Sequence, residues 1–544
     1  MSGKVPSPAA VGRGAAVATA GTALSRLTGF VRLAAMTYAL GVAESRLADT
    51  YNLANTTPNI LYDLALGGIL SSVLLRVYVE VKQAEGQDEA WRFISRLTYM
   101  SLLILGAMSV LAIAFAPAIF KLYTIGAHHT ALERRAGAFL LRLFVPQLLF
   151  YALSTISTAV LTAHRRFGVP MFAPVLNNLV VSAVMVVFAL TVPEMMRHVD
   201  RVSLGSLWLL GLGTTAGVAL MGLVPWFYMR RIGYRFSLRH GLSDRRFKQV
   251  ARLSAYMFGY VATNQLGLAI SLVLANRVQG GVSAFTYAFI FFQLPHGLLA
   301  VSIATAVFPG LTESAVANDF GELAGRLGLG LRQIAFFILP AIAGYIAIGR
   351  QLVALLLRHG LTTSASTDFV STILKIWAPG ILFFSIFYLL LRGFYALGDT
   401  RTPMLINIGA FVVNVALDFL LFFSFADPRY RIAGLAIGHA ASYAAASAAG
   451  AWLMVRRLGK RVFPVGYVGA VARMTAAAAL TGGVSWLAAN SFPKHLAGTF
   501  SGQVLSVTAA TLAGLLIYAG STKMLGLDEV GWIVGLIAGR RRAP

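Results

Sequence analysis

The 544-residue chain has no cysteine, and only 12% of its residues are charged. The first absence excludes disulfides and thiolate metal sites and leaves the redox compartment open. The second excludes a soluble globule, which would need more polar surface; 58% of the residues are hydrophobic instead. Acidic residues are scarce too, 20 against 45 basic, for a net charge of +25. The sequence carries no P-loop, dinucleotide fingerprint, hydrolase nucleophile motif or zinc-ligand spacing, so no ATPase module or enzyme chemistry is expected. His128 and His129 form a loop pair with no further convincing ligands, so no metal site is expected there.

What the chain does have is a succession of apolar segments, each of about 20 residues or more, the length a helix needs to cross a bilayer. They fall at 15–41, 48–79, 93–120, 135–162, 171–193, 205–229, 251–276, 283–311, 327–350, 369–397, 403–425, 432–455, 465–490 and 500–525. The fold class is therefore an all-α integral membrane protein with about fourteen transmembrane helices. The first segment is too long for a signal peptide and carries Arg26 and Arg32 in its body, so it reads as a retained helix.

The largest basic cluster, Arg230, Arg231, Arg235, Arg239, Arg245, Arg246, Lys248 and Arg252, lies between two spanning segments. Lys and Arg crowd alternate connections, which places both termini in the cytoplasm and makes anionic lipid headgroups the partner of the basic loops. No basic domain interleaved with aromatics stands outside the membrane, which argues against nucleic acid. The pattern divides into a cytoplasmic tail (1–14), an N-lobe of six helices (15–229), a basic connector (230–250), a C-lobe of six helices (251–460), and a final helix pair with a basic tail (461–544). Two six-helix lobes suggest a transporter built on a repeat. A weak echo supports this: Ala163-His-Arg-Arg-Phe-Gly-Val-Pro-Met and Ala396-Leu-Gly-Asp-Thr-Arg-Thr-Pro-Met precede helices 5 and 11.

Arginine inside a spanning helix is costly and points to a bundle interior or watery cavity. Arg26 and Arg32 lie about 9 Å apart along an ideal helix and about 120° around it, and Gly29 between them offers a place to bend. Paired guanidiniums suit a diphosphate; pairing with a carboxylate or snorkelling is the alternative. In helix 2, Asp49, Asn52 and Asn59 approximate one face and Pro58 sits in mid-segment, as expected of a cavity wall, although Asp49 also suits the outer membrane edge. Asn414 and Asp418 are one turn apart on helix 11, where they suit either Na⁺ or a proton, with His439 as a third partner, or a plain interhelical hydrogen bond.

Leu24-Ser-Arg-Leu-Thr-Gly-Phe-Val-Arg, Ala48-Asp, Pro58-Asn, Arg166-Phe-Gly-Val-Pro-Met-Phe-Ala-Pro, Gln293-Leu-Pro-His-Gly, Pro309-Gly-Leu and Gly393-Phe-Tyr-Ala-Leu-Gly-Asp-Thr-Arg-Thr-Pro together resemble the MurJ/MviN family of lipid II flippases. The resemblance implies the fold of the multidrug/oligosaccharidyl-lipid/polysaccharide exporter superfamily: two six-helix lobes around a central cavity, with helices 13 and 14 forming a lipid-facing groove. It implies alternating access in the bacterial cytoplasmic membrane, carrying the undecaprenyl diphosphate-linked disaccharide pentapeptide to the outer leaflet for cell-wall synthesis. It places Arg26, Arg32 and Asp49 on the substrate side, where Asn59 joins them by its place on the helix-2 face, and Asn414 and Asp418 in a sodium site.

The chain departs from the family in carrying Tyr62-Asp63 and Phe289-Ile290 where arginines are common, and Ser271 and His439 at two positions of the cation site. The coupling ion therefore stays open between Na⁺ and a proton, with no other cofactor implied. Alternatives are export of another polyprenyl-linked glycan or a drug, or a non-transporting scaffold for cell-wall synthesis proteins.

Overall fold

The computed structural model describes residues 8–67, 74–237, 245–459, 462–463, 466–491, 499–527 and 529, and every regular element among them is helical. Among the described residues, ten helices are long and apolar enough to cross a membrane, and a pair bent by 50°, Ser364–Trp377 with Gly380–Ala396, makes an eleventh span. Pro8–Leu40, Arg46–Tyr62 and Tyr467–Asn490 bring the set to the expected fourteen.

In chain order the spans of the first half are α1 (Pro8–Leu40), α2 (Arg46–Tyr62, continued by a π-turn, Asp63–Gly67), α3 (Gln87–Ala114), α4 (Ala131–Phe144 and Gln147–Ala163), α5 (Gly168–Thr191), α6 (Leu204–Tyr228) and α7 (Arg245–Ala275). Those of the second half are α8 (Gly281–Pro295, a π-turn His296–Ala300, and Val301–Val316), α9 (Phe320–Leu357), α10 (the bent pair), α11 (Arg401–Ser424), α12 (Pro428–Leu458), α13 (Tyr467–Asn490) and α14 (Phe500–Met524).

The chain forms two compact units, residues 1–283 with 359–363, and residues 284–358 with 364–544. Helix α7, expected to open the second lobe, packs within the first unit against the π-turn of α2, where Gln265 donates to the Asp63 carboxylate. A carboxylate held inside a bundle needs such a donor. Residues 359–363 join the first unit for a similar reason. Leu361 N–H donates at 3.3 Å to Tyr38 O, an acceptor at the end of α1, and the Thr362 hydroxyl adds a second donor at 3.0 Å to Thr37 O, which also takes Gly41 N–H.

The internal echo is structural. The π-turns, α3 and α9, the two halves of α4 and α10, and α5 and α11 start at a constant offset (296 against 63, 320 against 87, 364 against 131, 401 against 168). Even the turns before α5 and α11 share one hydrogen-bond pattern. Arg166 N–H donates to Leu161 O at 2.8 Å and Arg165 N–H to Thr162 O at 2.9 Å; Asp399 N–H donates to Phe394 O at 2.9 Å and Gly398 N–H to Tyr395 O at 3.0 Å. This is the helix-ending motif that requires a left-handed residue, supplied by Gly398 at φ 73° and by Arg165 at φ 58°. A non-glycine residue there costs roughly 1–2 kcal/mol. Gly398→Ala should therefore lower stability by about 1 kcal/mol and Arg165→Gly raise it by about as much, read as opposite shifts in thermal unfolding of the purified protein.

The turn after α4 also carries an aromatic corner. The His164 ring stacks on Trp91 (centroids 5.3 Å apart, 9° between planes), and the Tyr78 hydroxyl is 2.7 Å from His164 Nε2. Burial, with Lys82 and Arg166 nearby, holds the imidazole below its ordinary range. The fold thus prefers neutral His164; this stability is complete above the unfolded pKa of about 6.5 and is lost as pH falls below it. Acidification to about pH 5.5 should lower the melting temperature of the parent, and His164→Asn should reduce that pH dependence.

Candidate functional site

Small and polar residues seat α1 against α5. Asn178 Nδ2 donates to Ser25 O and to Thr28 Oγ1, both at 3.1 Å, and a Cβ on Gly21 would lie 2.7 Å from the Met171 Cβ. With that face packed, Arg32 is half-buried and within electrostatic reach of the Tyr51 and Tyr151 hydroxyls, whereas Arg26 is exposed. Helix α1 continues unbroken through Gly29, so the two arginines keep their helical separation. Neither makes a hydrogen bond or ion pair among the described residues.

Around Arg32 the first unit builds a polar wall. Asn59, exposed on α2, meets the Tyr151 side chain, whose hydroxyl donates to Gln147 Oε1 at 3.0 Å. Gln147 Nε2 in turn reaches Asn55 Oδ1 at 3.4 Å and Thr215 Oγ1 at 3.3 Å, and Tyr62 and Thr155 share a 2.7 Å hydroxyl contact. Gln147, Tyr151 and Thr155 were not expected as site residues. Their four-residue spacing along the second half of α4 is the signal that would have found them, since it puts them on one helix face.

Asp49 departs from the cavity-wall expectation. Its side chain is fully buried, Oδ2 accepts Gly280 N–H at 2.7 Å, and Oδ1 accepts Ser283 N–H at 2.9 Å and the Ser283 hydroxyl at 2.7 Å. The carboxylate therefore satisfies backbone donors at the start of α8, a role favoured by the positive end of a helix. Asn52 joins it by donating to Ser283 Oγ at 3.1 Å. Arg277 lies at the turn after α7, beside Gly126, rather than with Arg26 or Arg32; the side chain of Arg76 lies outside the described residues.

In the second unit, Asn414 Nδ2 donates to Asp418 Oδ1 at 2.9 Å, and Asp418 is fully buried against Gly438, where a Cβ would come within 2.4 Å of that oxygen. His439 is turned away from this pair. Its Nδ1 accepts from Trp377 Nε1 at 3.1 Å inside a ring of Phe289, Phe292, Phe384 and Tyr443. Ser271 belongs to the other unit, and its hydroxyl donates to Gly267 O at 3.1 Å in its own helix. Of the four expected cation ligands, Asn414 and Asp418 meet within one unit, with the amide presenting its nitrogen. The Asp418 carboxylate supplies oxygen, the ligand type that a hard cation takes, and also a group that can carry a proton.

Helices α13 and α14 pack on α9 around Phe336, Met474 and Tyr518, with the Tyr518 hydroxyl donating to Phe336 O at 2.7 Å. Beside this core opens a cavity of about 710 Å³, walled by Leu298, Phe337, Tyr345, Leu352, Leu515 and Tyr518 among others. Thr481, Ser485 and Thr511 add its few hydroxyls, and Ser485 and Thr511 already bond backbone carbonyls. The walls suit a hydrocarbon chain.

A repeated six-helix design, a polar wall with an unpaired guanidinium in one unit and an apolar groove in the other define a polytopic α-helical membrane transporter. Solved structures share the fold. A structure titled "Lipid II flippase MurJ, inward closed conformation" aligns with TM-score 0.73 at 20% identity, covering 93% of this chain and 99% of that one. An inward-facing multidrug resistance MATE family transporter of the MOP superfamily aligns with TM-score 0.65 at 13% identity, covering 81% and 99%.

The sequence model described as "Lipid II flippase MurJ" matches residues 36–506, and the chain belongs to that family. It is 28% identical over 400 residues to the lipid II flippase MurJ of Burkholderia cenocepacia, spanning 72% of this chain and 75% of the relative. It is 27% identical over 506 residues to the probable lipid II flippase MurJ of Rhizobium meliloti, spanning 91% and 90%.

Because Asp49 accepts from Gly280 and Ser283, Asp49→Ala strands buried N–H donors and should cost about 2–3 kcal/mol. Thermal unfolding should fall well below the parent, while lipid-substrate affinity of the protein that remains folded stays near parental. A parental melting curve with lost affinity would return Asp49 to the substrate site.

Proposed function

We propose that this protein moves lipid II, the lipid-linked peptidoglycan precursor, from the inner to the outer leaflet of the bacterial cytoplasmic membrane by alternating access, with both termini cytoplasmic. The observation that carries the reading is Arg32, unpaired among the described residues, on the polar wall of Asn59 and Tyr151, in a chain of the MurJ family. A guanidinium gives phosphate oxygens two parallel donors, and it repels a cationic drug. Arg26, exposed and equally unpaired, supplies a second donor, and Asn59 an amide for the polar headgroup. The groove beside α13 and α14 takes the prenyl tail, so the headgroup alone needs a polar route. Binding and orientation suffice for this task, and no side chain is assigned a catalytic role.

For coupling, the Asn414–Asp418 pair is the proposed proton- or cation-responsive element of the second unit, with no step assigned to an ion. Family membership favours lipid II over another polyprenyl-linked glycan and over a scaffold without transport.

In cells depleted of their native flippase, this chain should restore lipid II exposure at the outer surface. Arg32→Ala should reduce that rescue about tenfold or more, the loss of roughly 1.5–3 kcal/mol expected for a charged hydrogen bond. Rescue that survives Arg26→Ala with Arg32→Ala would overturn the cavity assignment, and no rescue by a well-expressed parent would overturn the substrate. Asp418→Asn should alter the dependence of transport on Na⁺ or pH; indifference to both would remove the pair from coupling.

A further inference from the structure

The first unit holds a second cationic site, far along α4 from the polar wall. A cavity of about 750 Å³ opens between the short helix Ala116–Tyr123, the first half of α4 and the segment leading into α6. Lys121, Arg134, Arg135 and Arg142 line it, and Asp200 is its one acidic residue. Asp200 faces Arg201 at 3.9 Å, and none of the four cations is ion-paired among the described residues. Arg134 and Arg142 reach only backbone oxygens, of His129 at 3.0 Å and Ile113 at 3.4 Å.

Three features select the ligand. By the topology proposed above, this end of the unit faces outward, where the charge rule of membrane proteins disfavours a basic cluster. Arg142 stands two turns below Arg135, about 10 Å deeper along the helix, in a spanning segment where a cation without an anion is costly. The walls between the charges are apolar: Leu132 and Leu204 are 55% and 61% exposed, and Phe139 meets Trp208 edge to face at 5.2 Å. A soluble phosphate has no use for such walls, whereas a lipid phosphate with acyl chains below it meets both the cations and the apolar surface.

We propose that this groove binds the phosphate of an anionic glycerophospholipid of the outer leaflet, held by Lys121, Arg135 and Arg142, with the first acyl carbons along Leu132, Phe139 and Leu204. The inward or outward placement rests on the topology in the proposed function; the binding chemistry does not, so the test uses the purified full chain and no transport readout.

Lipid affinity is measured on the detergent-solubilised protein by native mass spectrometry, with phosphatidylglycerol, phosphatidylcholine, undecaprenyl phosphate and inorganic phosphate as probes. Phosphatidylglycerol should bind at least about tenfold more tightly than phosphatidylcholine, and Arg135→Gln with Arg142→Gln should remove most of that preference. Arg142→Lys, which keeps the charge, should retain part of it and controls for folding. Arg326→Gln, at an exposed ion pair with Glu322 in the second unit, should leave it near parental. Equal affinity for the two phospholipids, or a parental preference in the Arg135/Arg142 variant, would overturn the site. Displacement of the phospholipid by millimolar inorganic phosphate would overturn its assignment to lipid. Tighter capture of undecaprenyl phosphate, lost in the same variant, would reassign the groove to the substrate path.

Discussion

Keeping a guanidinium inside a membrane helix with no acidic partner among the described residues is the constraint on which the rest of this structure depends. Insertion scales put the cost of such a charge at about 2.5–3.5 kcal/mol, and a fold normally offsets it with a carboxylate. Around Arg32 the protein supplies hydroxyls and amides instead, from Tyr51, Tyr151, Asn59 and, beyond them, Gln147. Neutral dipoles solvate a cation without neutralising it. In the proposed function this leaves Arg32 available to an anion, which a salt bridge would have consumed.

The scaffold around that wall is a repeated one, and the repeat shows which parts are geometry and which are chemistry. Helix starts, the α4 and α10 breaks, and both π-turns recur at one offset. The side chains at those places do not. Asp63 opens the first π-turn and takes a hydrogen bond from Gln265; His296 opens the second and bonds Ser385 at 3.0 Å. Arg165 occupies the left-handed position that Gly398 fills in the second half. Shared backbone, divergent side chains: the first unit presents charge and amides, while the second packs its interior with the aromatic cluster around Trp377 and His439.

The fold was legible because length and hydropathy mark eleven of the fourteen spans; of the three that fall short, α1, α2 and α13, the first two carry the expected site. The site was legible where a pair lies on one helix, as with Asn414 and Asp418, whose four-residue spacing dictates contact. It was illegible where partners are distant in sequence. Asp49 looks like a cavity residue until Gly280 and Ser283, more than 200 positions on, claim both its oxygens. His439 was misread for a rotational reason. Gly438 faces Asp418, so the next residue points about 100° away, which carries its ring to Trp377. The cationic cavity above Arg142 left a trace in the sequence as well, but a lone arginine near a helix end reads as snorkelling, and only the fold shows that Lys121 and Arg135 converge on the same space.

An amphipathic cargo asks two incompatible things of a membrane protein, a wet cationic surface and a dry groove. In the function proposed here, each unit answers one of these demands. The first unit spends its intramembrane polarity on unpaired arginine and amide side chains. In the second, the groove's hydroxyls Ser485 and Thr511 turn back onto carbonyls, leaving its walls hydrocarbon. A lipid-linked cargo held in this way would keep its headgroup off hydrocarbon walls, where an unpaired polar group costs several kcal/mol. A single pocket lined by both would have to leave one of those costs standing at every stage of transfer.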